Sequence, residues 1–137
     1  MSYRVLPHTA DTGIEGTAET LDSLIAVMSQ GMFELVGRCK ASSPRRWLTL
    51  TIDAETVEDL LVDTLSELLY LSETEDLLLC DFRVSVEPGG RTAKVEVGGV
   101  RANAVEPAGP PIKAVTYHDL VVERRVGRWY GRVYFDV

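Results

Sequence analysis

The chain has 137 residues and a formal net charge of −7, with 45% apolar and 26% charged residues; that is enough for one hydrophobic core and too little for two. This composition excludes disordered, collagen-like and coiled-coil chains, and the acidic balance argues against a domain whose main business is holding nucleic-acid phosphates, since that affinity comes from clustered Lys and Arg. No apolar run approaches the ~18 residues a spanning helix needs and the first residues show no signal-peptide pattern, so a soluble single domain, residues 1–137, in the cytoplasm and away from membranes is expected.

Tyr3 to Leu6 reads as a short strand, followed by the polar turn Pro7-His8-Thr9-Ala10-Asp11-Thr12-Gly13 and a second strand near Ile14 to Ala18. Leu21, Leu24, Ile25, Met28, Met32, Leu35 and Val36 recur at three- and four-residue steps, which predicts an amphipathic helix capped by Thr20 or Asp22 and stopped by Gly37. Trp47 to Asp53 reads as a strand. Thr56, with Asp59 three residues later, forms a capping pattern for a second helix whose apolar positions are Val57, Leu60, Leu61, Leu65, Leu68, Leu69 and Leu71.

From Cys80 the period changes to two. Cys80, Phe82, Val84 and Val86, then Pro88-Gly89-Gly90, then Ala93, Val95 and Val97 predict a hairpin. After the loop from Pro107 to Pro111, Ile112 to Glu123 alternates again, and Val126-Gly127 turns the chain into a last strand. There Trp129, Gly131, Val133, Phe135 and Val137 share one face, and Tyr130, Arg132, Tyr134 and Asp136 the other. The element order predicts an α+β domain with two main helices packed on a mostly antiparallel sheet.

Charge is unevenly spread. Residues 1–82 carry fifteen acids and five bases, whereas residues 83–137 carry six acids and nine bases; the molecule is expected to be polarised, and its acidic part suits a basic partner or simple solvation. Cys39 and Cys80 lie in apolar stretches without CxxC spacing, which indicates neither a disulfide framework nor a thiolate zinc site; two buried thiols are expected.

Three groups of polar residues are not explained by periodicity. His8 and Asp11 sit three residues apart in the first turn. Lys113, Thr116, Tyr117 and His118 belong to the block Ile112-Lys113-Ala114-Val115-Thr116-Tyr117-His118, in which Thr116 and His118 share a strand face with Ala114, Leu120 and Val122. Asp136 precedes the terminal carboxylate of Val137, and two adjacent anions repel unless a cation neutralises them. The oxygens of Asp11, Asp136 and Val137 suit a hard divalent cation, Ca²⁺ or Mg²⁺, better than zinc. No P-loop, nucleophile elbow, dinucleotide fingerprint or HExxH helix occurs.

His8-Thr9-Ala10-Asp11 with Gly13-Ile14-Glu15, Gly31 to Gly37, Glu67-Leu68-Leu69-Tyr70-Leu71, Ile112 to His118 and the closing Phe135-Asp136-Val137 together resemble the archease family over almost the whole chain. The resemblance implies a non-catalytic accessory protein that activates a GTP-dependent tRNA-splicing RNA ligase, promoting its guanylylation and repeated turnover, with tRNA met at most indirectly. It implies metal ligation by Asp11, Asp136 and the Val137 carboxylate, and functional roles for Lys113, His118, His8 and Thr116. Thr12, Gly16-Thr17 and Ser66 depart from the family's usual residues, and Gly99 to Pro111 is only loosely similar. Other readings are a chaperone-like modulator of a tRNA-modifying enzyme, a stand-alone metal-dependent phosphohydrolase using Asp11 and Asp136, and an RNA-binding chaperone using Arg124, Arg125, Arg128 and Arg132 with Tyr130 and Tyr134.

Overall fold

The structure, a computed structural model, describes residues 1–6 and 12–137. Strands β1 (Ser2–Leu6) and β2 (Thr12–Ala18) pair antiparallel, from Ser2 opposite Thr17 to Leu6 opposite Gly13. Of the two candidate caps for α1 (Leu21–Glu34), Thr20 takes the role, its hydroxyl accepting the Ser23 amide at 3.1 Å. Asp22 instead accepts the Val86 amide at 2.8 Å, tying the helix's first turn to the end of a distant strand.

Gly37 does not stop this helix in the way expected. α1 ends at Glu34, Leu35 is still right-handed, and Gly37 opens β3 (Gly37–Arg38), paired opposite Pro107. A Cβ at Gly37 would lie 2.6 Å from a methyl of Val105, so close chain approach rather than helix termination requires glycine there.

β4 (Arg46–Asp53) leads to α2 (Val57–Glu75), where Thr56 accepts the Asp59 amide at 3.1 Å and Asp76, at φ 53°, closes the helix in the left-handed region. β5 (Leu77–Val86) and β6 (Thr92–Arg101) form the expected hairpin with Val84 opposite Val95. A register shift between Leu79 and Asp81 leaves Cys80 as an extra residue, a β-bulge. β7 (Glu106–Pro107), β8 (Ala114–Val115), β9 (Val121–Arg125) and β10 (Arg128–Asp136) complete the chain. Val126 and Gly127 join β9 to β10 with φ values of 47° and 76°, the two positive angles of a tight hairpin turn.

The strand expected over Ile112 to Glu123 is broken. β8 and β9 lie on the same edge of β10, with Val115 opposite Phe135 and Val121 opposite Arg132. Residues 116–120 therefore face only Val133 and Tyr134, and the surplus must loop outward. The break begins at Thr116, whose backbone amide and hydroxyl both donate to the Tyr134 carbonyl, at 3.0 and 2.9 Å. Asp119 closes the loop at φ 49°.

Antiparallel pairing throughout bears out the α+β class, but the strands divide into separate sheets: β1-β2-β10 with β8 and β9 on the far edge, β4-β6-β5, and the small pair β3-β7. Both helices touch both larger sheets and so form a middle layer. Ile14, Val122, Val133 and Phe135 of one sheet and Leu79, Val95 and Val97 of the other enclose Leu24, Ile25, Met28, Leu61, Leu65 and Leu68 of the helices. α1 is consequently buried on most of its circumference rather than along one stripe. Among the described residues no helix is long and apolar enough to cross a membrane.

The cysteine expectation is overturned. Cys39, directly after β3, and Cys80, at the bulge of β5, are joined as a disulfide with Cα atoms 6.2 Å apart and 41 positions between them in sequence. The bulge takes Cys80 out of the regular ladder and re-aims its side chain, which no sequence spacing reveals.

Candidate functional site

The end of β10 gathers most of the residues singled out by sequence. The Lys113 amide donates to the Asp136 carbonyl at 2.8 Å and Ala114 lies opposite Asp136, so backbone pairing alone sets Lys113 beside Asp136, which Val137 follows in the chain. Lys113, Asp136 and Val137 are all exposed. Lys113 also borders a shallow pocket of about 260 Å³ shared with Ser66, Tyr70 and Glu73 of α2. The last described pair between β2 and β10 is Thr12 opposite Phe135, which brings the residue following Asp11 across from the residue preceding Asp136. His8 and Asp11 themselves lie outside the described residues. Among the described residues no group of three or more His, Cys, Asp or Glu side chains comes together.

His118 is not on a strand face with Thr116. It is exposed in the loop between β8 and β9, with its ring 5.7 Å from the Tyr134 ring in an edge-on arrangement and Nε2 3.3 Å from Asp119 Oδ2. Thr116 serves the backbone, ending β8 as described above. The sequence reading did not single out Tyr134 or Gly13 as a pair. Tyr134 shares the face of Asp136 on β10 yet is buried, because its ring lies across Gly13; a Cβ there would come within 2.5 Å of two ring carbons. The alternation of β10 was the available signal, and only the pairing of Tyr134 with Gly13 turns it into a packed floor beneath the site.

Tyr117, grouped by sequence with Lys113, Thr116 and His118, has a structural role that the grouping did not indicate. It is 57% exposed, and its hydroxyl donates to Asp59 Oδ1 at 2.8 Å, fastening the β8–β9 loop to the first turn of α2. Chiefly because of that hydrogen bond to a carboxylate, its phenol is pushed up to about 12 from 10.0. The folded state thus holds the proton more tightly than the unfolded one, so the contribution is complete below pH 10 and is lost as pH rises toward 12. Tyr117→Phe should abolish it, costing at most about 1 kcal/mol at pH 7 because the contact is solvent-screened. The checks are denaturant unfolding and the disappearance, in an absorbance titration, of one phenol ionising near pH 12.

The arginine-rich β9–β10 hairpin is already internally engaged. The Arg124 guanidinium sits 5.7 Å from the Trp129 ring centre and that of Arg125 3.9 Å from the Tyr130 ring, while Arg125 also pairs with Glu123. Tyr130 donates to Glu15 at 2.6 Å, and that hydrogen bond, with Arg4 and Arg132 nearby, holds the Glu15 carboxyl below its usual range. These acids offset the cations that an RNA-binding reading relied on.

A family model described as the archease protein family matches residues 3–137. The chain is similar to the protein archease of Pyrococcus furiosus, 31% identical over 135 residues that cover 95% of this chain and 94% of that protein. It is 29% identical over 141 residues to the protein archease of Methanopyrus kandleri, covering both chains completely. Among solved structures, a protein of Methanobacterium thermoautotrophicum superposes with a TM-score of 0.75 at 23% identity, over 98% of each chain. A Thermotoga maritima structure, titled an archease and possible chaperone, gives a TM-score of 0.68 at 23% identity over 96% of this chain and 94% of that one. At that identity the two structures speak for the fold alone.

Proposed function

This chain belongs to the archease family, and from that membership we propose that it is a metal-binding accessory protein that activates a GTP-dependent tRNA-splicing RNA ligase, promoting its guanylylation and repeated turnover. What supports the reading is the exposed edge at the end of β10, where the Lys113 amide donates to the Asp136 carbonyl and Ala114 lies opposite Asp136. The donor chemistry there is all oxygen, with two adjacent anions, which fits a hard divalent cation such as Ca²⁺ or Mg²⁺. Asp136 and Val137 would hold it, with Asp11 as the further ligand the family resemblance implies. When bound, such an ion would neutralise phosphate charge at the partner's nucleotide pocket. Lys113 would present its ammonium to the same phosphates, and His118, His8 and Thr116 would border the contact. The protein itself performs no bond-breaking step in this reading.

The test is to add the protein to the ligase and follow guanylylated intermediate and multiple-turnover ligation, with and without a chelator. Stimulation at substoichiometric amounts, lost on chelation, is the expected result. Without the ligase, Ca²⁺ or Mg²⁺ should raise the melting temperature by mass action, and Asp136→Asn or one residue added after Val137 should cancel that shift. Hydrolysis of phosphoesters by the protein alone would favour the phosphohydrolase reading instead. Stimulation of a tRNA-modifying enzyme but not of the ligase would favour the chaperone-like one, in keeping with the description of the Thermotoga maritima archease as a possible chaperone.

A further inference from the structure

Cys39 and Cys80 lie away from the end of β10 and play no part in the proposed function. Both are half-buried and line an open pocket of about 280 Å³ together with Gln30, Glu34, Arg38 and Arg45. Arg38, Arg45 and Glu34 line the same cavity as the two cysteines, and Arg45 is itself paired with Asp81. Both sulfurs thus border an open cavity, the access that thiol–disulfide exchange requires. A dithiol would also be accommodated in the same place. The Leu78 carbonyl is 3.3 Å from Cys80 Sγ and 3.9 Å from Cys39 Sγ, an acceptor ready for either S–H once the bond is broken.

The segment between Cys39 and Arg45 is held to β5 at both ends. At one end is the disulfide; at the other the Arg45 Nε–H donates to Asp81 Oδ2 at 2.6 Å, while Arg45 also donates to the carbonyls of Lys40 and Ser43, at 3.0 and 2.7 Å. Residues 40–45 contribute none of the buried side chains of the hydrophobic core, against which Cys39 and Cys80 themselves pack. Breaking the disulfide removes one of the two ties of this strap to β5.

We infer that Cys39 and Cys80 form a reversible thiol–disulfide exchange site for low-molecular-weight thiols and disulfides of the glutathione class, and that its redox state sets whether the strap 39–45 is anchored. In the oxidising direction the Cys39 thiolate attacks the small disulfide, forming a mixed disulfide and expelling one thiolate. The Cys80 thiolate then attacks the Cys39 sulfur, closing the protein disulfide and expelling the second. The two protons lost by the cysteines go to the two released thiolates, so one small disulfide is reduced to two thiols as the protein dithiol is oxidised. Cys39 enters first because it sits on the strap, whereas Cys80 is flanked in the ladder by Leu79 opposite Gly99 and Asp81 opposite Gly98.

The experiment incubates the full-length protein in graded mixtures of reduced and oxidised glutathione. Alkylation and mass spectrometry give its redox state, circular dichroism its fold, and hydrogen exchange its local opening. The expected result is interconversion between fully alkylated and unalkylated forms while the fold persists, with faster amide exchange in the reduced form confined to residues 39–45 and their contacts on β5. Cys80→Ser should trap one glutathione on Cys39. Arg45→Gln should release the other end of the strap, so that amide exchange over residues 39–45 is faster even in the disulfide form, and Arg45→Lys should largely restore the protection. Reduction that occurs only with global unfolding, or a folded dithiol that oxidised glutathione leaves unchanged, would overturn the proposal and leave a structural cross-link or two inert thiols.

Discussion

Phe135→Ala should lower the free energy of unfolding by about 3–5 kcal/mol, the usual cost of deleting a fully buried aromatic ring. Phe135 is 0% exposed, on a strand hydrogen-bonded on both sides, opposite Thr12 of β2 and Val115 of β8. Its ring belongs to the core that the two helices share with both larger sheets, so the hole left behind is bounded by elements that cannot collapse onto it independently. Against a total stability of about 5–15 kcal/mol this is a large fraction. Urea unfolding should show a lower midpoint with an unchanged slope, and ligase stimulation should fall only at temperatures where the variant begins to unfold. A loss below about 1 kcal/mol would mean that the C-terminal strand end is not part of the core.

The next residue should behave in the opposite way. Asp136→Ala, and likewise Lys113→Ala, should reduce ligase stimulation at least ~10-fold, equivalent to about 1.4 kcal/mol of coupling, while moving stability by no more than about 0.5 kcal/mol. Both side chains are exposed, and the contact that links the two positions is made by backbone atoms, which alanine retains. Alternation along β10 puts Phe135 inward and Asp136 outward, so neighbouring substitutions separate folding from function. Stimulation and unfolding measured on the same preparations decide the matter. Normal stimulation by both variants at wild-type concentration would remove this edge from the site, even though the chain belongs to the archease family.

The elements that sequence reading located well are those whose signal is local. The 3.6-residue period of Leu21 to Met32, the hydroxyl caps at Thr20 and Thr56, and the two-residue period of β5, β6 and β10 are short-range consequences of backbone geometry. Gly37 misled because glycine serves both helix ends and close chain contacts, and only the presence of Val105 beside it distinguishes the two. The alternation of Ile112 to Glu123 misled for a related reason. Residues 116–120 alternate well enough for a strand, yet β10 offers only Val133 and Tyr134 opposite them, and pairing partners are not written into a strand's own sequence.

For the site, the block from Ile112 to His118 and the closing Phe-Asp-Val carried the family membership and the choice of Lys113 and Asp136, since both are continuous stretches whose residue types can be read directly. The juxtaposition of those two stretches on one strand pair, the seat of Tyr134 on Gly13, the fastening of Tyr117 to Asp59 and the meeting of Cys39 with Cys80 were decided by the tertiary structure alone. Each joins residues between 20 and 121 positions apart, and the sequence periodicity of each partner is satisfied whether or not the other is present. The amino-acid sequence by itself determined where helices and strands arise and which face of each is apolar, because those depend on neighbours within a turn or two. Which strand edges meet, where a bulge re-aims a side chain and which polar groups therefore share a surface depended on how the two sheets close over the helices, a property of the whole core and of no single segment.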